Sequence, residues 1–317
     1  MRTDTLNRRL RSAPPSPVVR RLALTEADFL LFEAIGRHGP LPTHYLYAFT
    51  RHLRKDYSRL QNRLTEFYNG DSDGPYLTRP PQQFAGFEAR YQHVVYDLAP
   101  RAKIALAERG ALARFVPRRT DPFLHQLMGA CVGASLELGA SHHGLRYIPR
   151  EEILARQKGG ESHGDANNPM AIKIGGRRLI PDDLFGLEYP GTGFRFFAVE
   201  IDRNTESIER KIQNQTSFGK KVVGYLDVLR NQTFRTHWGV PNLHILTVTT
   251  NATHAFNIID YIRAQSEPRH AMRFGFACET SFGVNWRVPR GVLTHLLEKP
   301  WTTPTGTRYI SKANQHA

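Results

Sequence analysis

The chain has 317 residues, a formal net charge of +14, and a composition that is 40% hydrophobic and 23% charged. This composition indicates a folded globular protein and excludes a disordered chain. No apolar run approaches the roughly 20 residues that span a bilayer, and the basic N-terminus lacks the apolar segment of a secretory signal. Two cysteines exclude a disulfide framework and a Cys-rich zinc site. We therefore expect a cytoplasmic protein with no membrane partner.

The positive charge is concentrated in the first third of the chain, where residues 1–119 carry 20 basic and 11 acidic residues. Neutralisation of phosphates by Lys and Arg is the main sequence-independent source of affinity for nucleic acids. RNA and anionic membrane are the other partners that such charge suits. Residues 1–21 combine six arginines with three prolines, which predicts a disordered basic arm.

Residues 22–110 have the pattern of a winged helix-turn-helix domain. A first helix is predicted from the N-cap Thr25 to Gly36, a second over Pro42–Phe49, and a third over Leu53–Tyr68. A turn at residues 69–74 precedes two strands, Pro75–Arg79 and Tyr91–Leu98, and a closing helix at Pro100–Arg109. The third helix has an apolar stripe of core residues, formed by Leu53, Tyr57, Leu60, Leu64 and Phe67.

The opposite face of the third helix is basic and polar, as expected of a recognition helix that offers donors to phosphates and base edges. Together with arginines of the predicted wing, the predicted double-stranded-DNA contacts are Arg51, Arg54, Lys55, Ser58, Arg59, Asn62, Arg63, Arg79 and Arg90. The alternative interpretation is a solvated basic face on a protein–protein interaction module.

Residues 111–121 are predicted to be a linker, and residues 122–317 a second domain of α/β (α+β) class. A buried helix at Asp121–Gly139 comes first, followed by a hairpin at Gly175-Gly176. A strand at Arg178–Leu187 then carries Pro181-Asp182-Asp183, and the apolar strand Phe194–Ile201 leads into Glu200-Ile201-Asp202. The rest is predicted to comprise a long helix after Asn204, the strand Leu243–Thr249, the helix Ala252–Gln265, the strand Arg273–Cys278 and a C-terminal cap.

The acidic residues at the ends of these strands suggest metal chemistry, because Mg²⁺ and Mn²⁺ prefer carboxylate oxygens and can activate water against a phosphodiester. Strand alternation places Glu200 and Asp202 on one face. The layout resembles the PD-(D/E)xK restriction-endonuclease-like αβββαβ fold, except that Asp202 occupies the usual lysine position. The predicted metal ligands are Asp182, Asp183, Glu200, Asp202 and Glu206. The predicted catalytic residues are Asp182, Glu200, Asp202 and the displaced cation Lys211, with Lys220 or Lys221 as substitutes. The competing interpretation is that these acids form salt bridges with neighbouring arginines, namely Arg177, Arg178, Arg195 and Arg203.

The order of these features resembles the replication-relaxation family. The resemblance covers residues 22–265, from the winged helix through His125-Gln126-Leu127 and Pro181-Asp182-Asp183 to a helix ending near Tyr225. Its most specific part is Glu200-Ile201-Asp202-Arg203-Asn204-Thr205-Glu206. Proteins of this family occur on plasmids, phages and other mobile elements. The family is similar to mobilisation relaxases, which implies metal-dependent DNA nicking, and it also contains members regarded only as DNA-binding replication or transcription factors.

Two main hypotheses follow from the sequence. The first is a double-stranded-DNA-binding protein of a mobile element, in which a degenerate nuclease-like second domain serves as a DNA channel or as the platform of a homodimer. The second is a Mg²⁺- or Mn²⁺-dependent nickase that uses Asp182, Glu200 and Asp202. The missing lysine at position 202 favours the first, and the retained acidic cluster favours the second. A weaker third hypothesis is a protein–protein adaptor.

Overall fold

The computed structural model describes residues 11–17, 21–54, 56–85, 92–111, 122–156, 168–203 and 218–313. The chain divides into two compact units. The first holds the described residues up to 111, residues 122–134 and Arg287–Val292, and the second holds Ser135–Trp286 and the described residues from Leu293 onward. The predicted linker lies outside the described residues apart from Ala111. The helix Phe123–His142 contributes residues to both units.

The first unit consists of short helices and a three-stranded sheet. Its elements in chain order are α1 (Glu26–His38), β1 (Leu41–Pro42), α2 (Thr43–Thr50), α3 (Tyr57–Asn69), β2 (Leu77–Thr78), β3 (Val95–Leu98) and α4 (Pro100–Glu108). The sheet has the order β1-β3-β2 and is antiparallel throughout. The helices predicted around residues 26–36, 42–49 and 100–109 are confirmed.

Aromatic packing between α1, α3 and the residue before β2 forms the core of this unit. Phe32, Phe67 and Tyr76 lie in mutual contact, with ring centroids 5.1–5.6 Å apart. Leu60 and Leu64 complete the buried stripe of α3 and are fully inaccessible to solvent. Burial of a leucine side chain contributes on the order of 1.5–3 kcal/mol, so this stripe holds α3 against α1.

The predicted start of the third helix was wrong. Asp56 caps α3 by accepting hydrogen bonds from the backbone N–H groups of Ser58 (2.8 Å) and Arg59 (3.3 Å), so the helix begins at Tyr57. Leu53 lies before it and is 51% exposed, although its spacing matched the apolar stripe. The signal that periodicity overlooked is the capping residue, since an aspartate ahead of a helix satisfies otherwise unpaired donors.

The turn predicted after α3 is confirmed and is tightly constrained. Gly70 has φ of +71°, and a Cβ atom there would lie 2.5 Å from the backbone of Gly74, so only glycine fits. Asp71 is buried and binds Arg101, with Nη1 and Oδ1 2.5 Å apart. That hydrogen bond lowers the pKa of Asp71 to about 2. The pair ties the turn to α4.

The second unit is built on a mixed seven-stranded sheet, and its class confirms the predicted α+β fold. After α5 (Phe123–His142), which the two units share, its elements are β4 (Arg146–Pro149), α6 (Arg150–Ala155), β5 (Ile172–Ile174), β6 (Arg177–Leu179), β7 (Asp183–Tyr189), β8 (Gly193–Asp202), α7 (Phe218–Arg230), α8 (Thr233–His237), β9 (His244–Thr249), α9 (Ala252–Gln265), α10 (Pro268–Ala271), β10 (Phe274–Cys278), α11 (His295–Glu298), β11 (Trp301–Thr303) and β12 (Gly306–Arg308).

The strands of the large sheet have the order β12-β11-β10-β9-β8-β7-β4, and β5 pairs with β6 in a separate hairpin. Strands β8, β9 and β10 are parallel, whereas β4, β7 and β8 are antiparallel neighbours. The helices α7, α8 and α9 cover one face through a buried core that includes Val222, Trp238 and Ile258. Among the described residues, no helix is long and apolar enough to cross a membrane.

Most strand predictions in this unit are confirmed, with one break. The strand predicted over Arg178–Leu187 is two strands, β6 and β7, because the chain leaves the small hairpin at Pro181 and enters the large sheet at Asp183. Proline lacks the N–H that a continuous ladder requires. The helix predicted from Asn204 is described only as α7, since residues 204–217 lie outside the described residues.

Candidate nucleic-acid interface and acidic cluster

One face of the α3 helix is exposed on the surface of the first unit. Arg51, just before α3, and Ser58, Arg59 and Asn62 on the helix are exposed, and the Arg59 side chain keeps 86% of its accessible surface. Its nearest carboxylate is that of Asp56, 3.6 Å from Nε and itself half exposed. An exposed pair of this kind is weak in water, so Arg59 can exchange it for a phosphate. These four residues are named here the α3 face.

Two arginines predicted to contact DNA bind a buried carboxylate of α1. Asp28 is completely buried and receives hydrogen bonds from the guanidinium groups of Arg54 and Arg63. Only 18% and 14% of these arginine side chains are exposed. Arg63 also binds Glu66 at 2.9 Å and the carbonyl oxygen of Ala23 at 2.5 Å. These contacts fix the position of α3 on α1.

Arg79 lies at the other side of α3, beside a cavity of about 410 Å³. Its guanidinium donates to Thr65 Oγ1 at 3.2 Å and to the Tyr96 hydroxyl at 3.0 Å. It also stacks 4.2 Å above the ring of Tyr68. The remaining two residues of the predicted interface, Lys55 and Arg90, lie outside the described residues.

In the second unit, the structure brings Asp182 and Glu200 together. The Asp182 amide donates to the carbonyl oxygen of Val199 at 2.9 Å, and its carboxylate accepts from the amide of Ile201 at 2.8 Å. Asp183 opposes Val199 in the antiparallel ladder, so Asp182 adjoins Glu200 on the neighbouring strand. The predicted pairing of these two acids across adjacent strands is therefore present.

Glu200 is only 1% exposed, and each of its carboxylate oxygens has a partner on α7. Lys221 Nζ lies 2.7 Å from Oε2, and the Tyr225 hydroxyl lies 2.5 Å from Oε1. Lys221 and Tyr225 are one helical turn apart, so both reach the strand from the same helix face. Burial raises the pKa of Glu200 to about 7, against the opposing effect of the Lys221 charge.

The other two predicted acids point to different partners. Asp202 is buried, accepts a hydrogen bond from Thr249 Oγ1 at 3.0 Å, and lies 3.1 Å from His254 Nε2. Asp183 binds Arg150, with Nη1 and Oδ1 2.8 Å apart. Glu206 and Lys211 lie outside the described residues. Among the two candidate substitutes for Lys211, Lys221 is the one that reaches Glu200.

The donor set is a poor fit for Mg²⁺ or Mn²⁺. Both oxygens of Glu200 are engaged by Lys221 and Tyr225, and one oxygen of Asp182 and one of Asp202 accept hydrogen bonds from the protein. Within the described ranges, no group of three or more His, Cys, Asp or Glu side chains could hold a metal ion. As arranged, Glu200 joins β8 to α7, and Asp202 joins β8 to β9 and α9.

Sequence reasoning missed several residues that shape both regions. Asp28 was not among the predicted functional residues, and no local signal in the sequence indicates that it is buried and binds two arginines. Tyr225 had no predicted role beyond marking the end of a helix, yet it is 1% exposed and binds Glu200. Its spacing of four residues from Lys221 is the signal that could have paired them.

The comparison with protein families gives one match. The model described as replication-relaxation matches residues 32–243, more than half of the chain. The matched range includes the whole of α3, Asp182 and the strand that carries Glu200. The comparisons with curated proteins and with solved structures give no match.

Proposed function

Because the chain belongs to the replication-relaxation family, we propose that it is a double-stranded-DNA-binding protein of a mobile genetic element. Family membership associates it with replication or mobilisation of such elements. In this proposal the first unit binds DNA through the α3 face, and the second unit is a degenerate nuclease-like domain that serves as a platform.

The order of elements in the first unit supports a winged-helix assignment. Its sequence of helix, short strand, two helices and two further strands, with the first strand beside the last, suits a helix-turn-helix followed by a wing. In that arrangement α3 takes the place of the recognition helix, which enters the major groove. Its exposed side chains then face the base edges and phosphates.

The observation that carries the proposal is that the arginines of α3 and of the segment before it fall into two groups. Arg54 and Arg63 are bound to buried Asp28, whereas Arg51 and Arg59 are exposed to solvent. The contacts with Asp28 therefore fix the position of the helix, while the guanidinium groups of Arg51 and Arg59 remain accessible to a ligand. Phosphate contacts of this kind supply affinity, and polar neighbours such as Asn62 can read base edges.

The engagement of the acidic cluster supports the degenerate character of the second unit. Glu200 is buried and bound by Lys221 and Tyr225. A nuclease site must instead present its carboxylates to a metal and a phosphodiester. We therefore place DNA recognition, rather than DNA cleavage, at the centre of the function.

Arg51→Gln and Arg59→Gln test the interface in a salt titration of duplex-DNA binding. Loss of one phosphate contact lowers the salt slope by about 0.9 and the affinity at 0.1 M salt about tenfold. Lys103→Gln is the matched control, since it removes one exposed positive charge from α4 of the same unit. Equal behaviour of all three variants would show that α3 does not contact DNA.

A supercoiled-plasmid assay with Mg²⁺ or Mn²⁺ tests the competing nickase hypothesis. We expect binding without nicking, both for the wild type and for Glu200→Gln. Glu188→Gln controls for the acid-to-amide change, because Glu188 is a partly exposed residue 3.7 Å from Arg146 and outside the cluster. Nicking by the wild type that only Glu200→Gln abolishes would replace the DNA-binding proposal by an enzymatic one.

A further inference from the structure

Three arginines of the second unit converge on one buried histidine, at the edge of the sheet where the parallel strands begin. His244 starts β9, Arg273 directly precedes β10 and Arg195 lies near the start of β8. Arg308 reaches the same place from β12. Since β8, β9 and β10 are parallel, these residues meet at the opposite end of the strands from Glu200 and Asp202. The three guanidinium groups are named here the arginine cluster.

Two arginines of the cluster contact the ring of His244, which can accept a hydrogen bond from only one of them. Arg273 Nη1 lies 3.1 Å from His244 Nε2, and Arg308 Nη1 lies 2.9 Å from His244 Nδ1. A neutral imidazole accepts at one ring nitrogen and carries a proton on the other, while guanidinium groups only donate. One of the two contacts therefore sets an N–H group against another N–H group. The imidazole itself is 7% exposed, so water reaches it poorly.

Two charges of the cluster, those of Arg273 and Arg308, also have no carboxylate partner in the described part of the chain. Burial lowers the pKa of Arg273, and the neighbouring charge of Arg195 lowers it further. Burial and the charges of both other arginines lower the pKa of Arg308 in the same way. Burial of like charges without a counterion is costly, so a missing anion would remove both defects.

The geometry selects the type of anion. Arg195 and His244 are buried, while Arg273 and Arg308 are partly exposed, so the cluster opens to solvent on the side of those two arginines. Several guanidinium forks around one point match an ion with three or four oxygen acceptors, and arginine binds phosphate in a bidentate manner. The Tyr189 hydroxyl donates to the carbonyl oxygen of Ile310 at 2.5 Å, and its oxygen accepts a hydrogen bond from Arg195.

We propose that Arg195, Arg273 and Arg308 form a phosphate-binding site in the second unit, with His244 at its buried end. The phosphate is either free phosphate or the backbone of a nucleic acid, and both present the same oxygen atoms. The site is separate from the α3 face and does not depend on it.

The test is thermal unfolding of the full chain in inorganic phosphate, with chloride added to keep the ionic strength constant. A ligand that binds the native state raises the melting temperature in a saturable manner. We expect this rise in the wild type and its loss in both Arg273→Gln and Arg308→Gln. Without phosphate, each variant should melt at or above the wild-type temperature, because one repelling charge has been removed.

Arg235→Gln is the matched control, since Arg235 is an exposed arginine of α8 in the same unit, and it should retain the full phosphate response. A wild type that does not respond to phosphate would overturn the proposal. So would a response that persists undiminished in Arg273→Gln and Arg308→Gln.

Duplex-DNA binding by the same variants identifies the source of the phosphate. If Arg273→Gln loses the phosphate response and also binds DNA several-fold more weakly, the site holds the DNA backbone. If it loses the phosphate response alone, the site holds free phosphate. Failure of the α3 proposal would appear in Arg59→Gln, and failure of this one in Arg273→Gln, so the two are distinguishable.

Discussion

Replacement of Lys221 by methionine should make the stability of the second unit depend on pH. The substitution keeps most of the aliphatic stem but removes the ammonium group 2.7 Å from buried Glu200. A buried carboxylate that loses its partner costs about 3–5 kcal/mol. The cost applies only when Glu200 is ionised, and its pKa in the wild type is about 7.

The sign of the effect follows from the raised pKa. In the wild type, the stabilising effect of protonating Glu200 is present at low pH and is lost as the pH rises to about 7. Without Lys221 the pKa rises further, so the loss continues above pH 7, where the wild type has levelled off. One proton is worth about 1.36 kcal/mol per pH unit. The difference in unfolding free energy between variant and wild type should therefore grow by about 2–3 kcal/mol from pH 7 to pH 9.

Urea unfolding followed by tryptophan fluorescence measures this difference, because all three tryptophans, Trp238, Trp286 and Trp301, belong to the second unit. Lys173→Met is the control, since Lys173 is exposed on β5. Adding Glu200→Gln to the Lys221→Met variant should abolish the pH dependence. A pH-independent difference would mean that Glu200 is solvated, and the inference of a closed acidic cluster would fall with it.

Two further substitutions test the first unit. Asp28→Asn should lower the unfolding free energy by about 3–5 kcal/mol, because it leaves two partly buried guanidinium groups without their carboxylate. Circular dichroism during urea unfolding measures this change. A loss below about 1 kcal/mol would show that Asp28 does not anchor α3. Leu64→Ala should cost about 2–5 kcal/mol, whereas Leu53→Ala, at a half-exposed position, should change stability by less than about 0.5 kcal/mol; similar losses in the same assay would contradict the helix start at Tyr57.

Local signals in the sequence were sufficient for most elements. The helix Ala252–Gln265 has its predicted bounds, because Asn251 marks its N-cap, and the hairpin lies at Gly175-Gly176 as predicted, because the two glycines favour a tight turn. The short strand Leu41–Pro42 was not predicted. It has two residues and exists only because Val95 and Tyr96 pair with it from far along the chain.

The site was less predictable, because the partner of a charged side chain is decided by tertiary structure. Arg54 and Arg59 look equivalent in the sequence, yet one binds a carboxylate of another helix and the other is exposed. The pairing of Asp182 with Glu200 could be anticipated, because two successive strands bring these acids to neighbouring positions. Engagement of Glu200 by α7 could not, since it depends on how the helix crosses the sheet.

The order of strands in the large sheet has a consequence for biosynthesis. β11 and β12 follow all the other strands in the chain, yet β11 pairs with β10 and closes that side of the sheet. While the ribosome has synthesised the chain only as far as β10, the sheet ends in a strand with unpaired backbone groups. Such open edges promote association between chains. A prematurely terminated chain that lacks Trp301–Thr303 is therefore expected to aggregate, even though it contains both the α3 face and the acidic cluster.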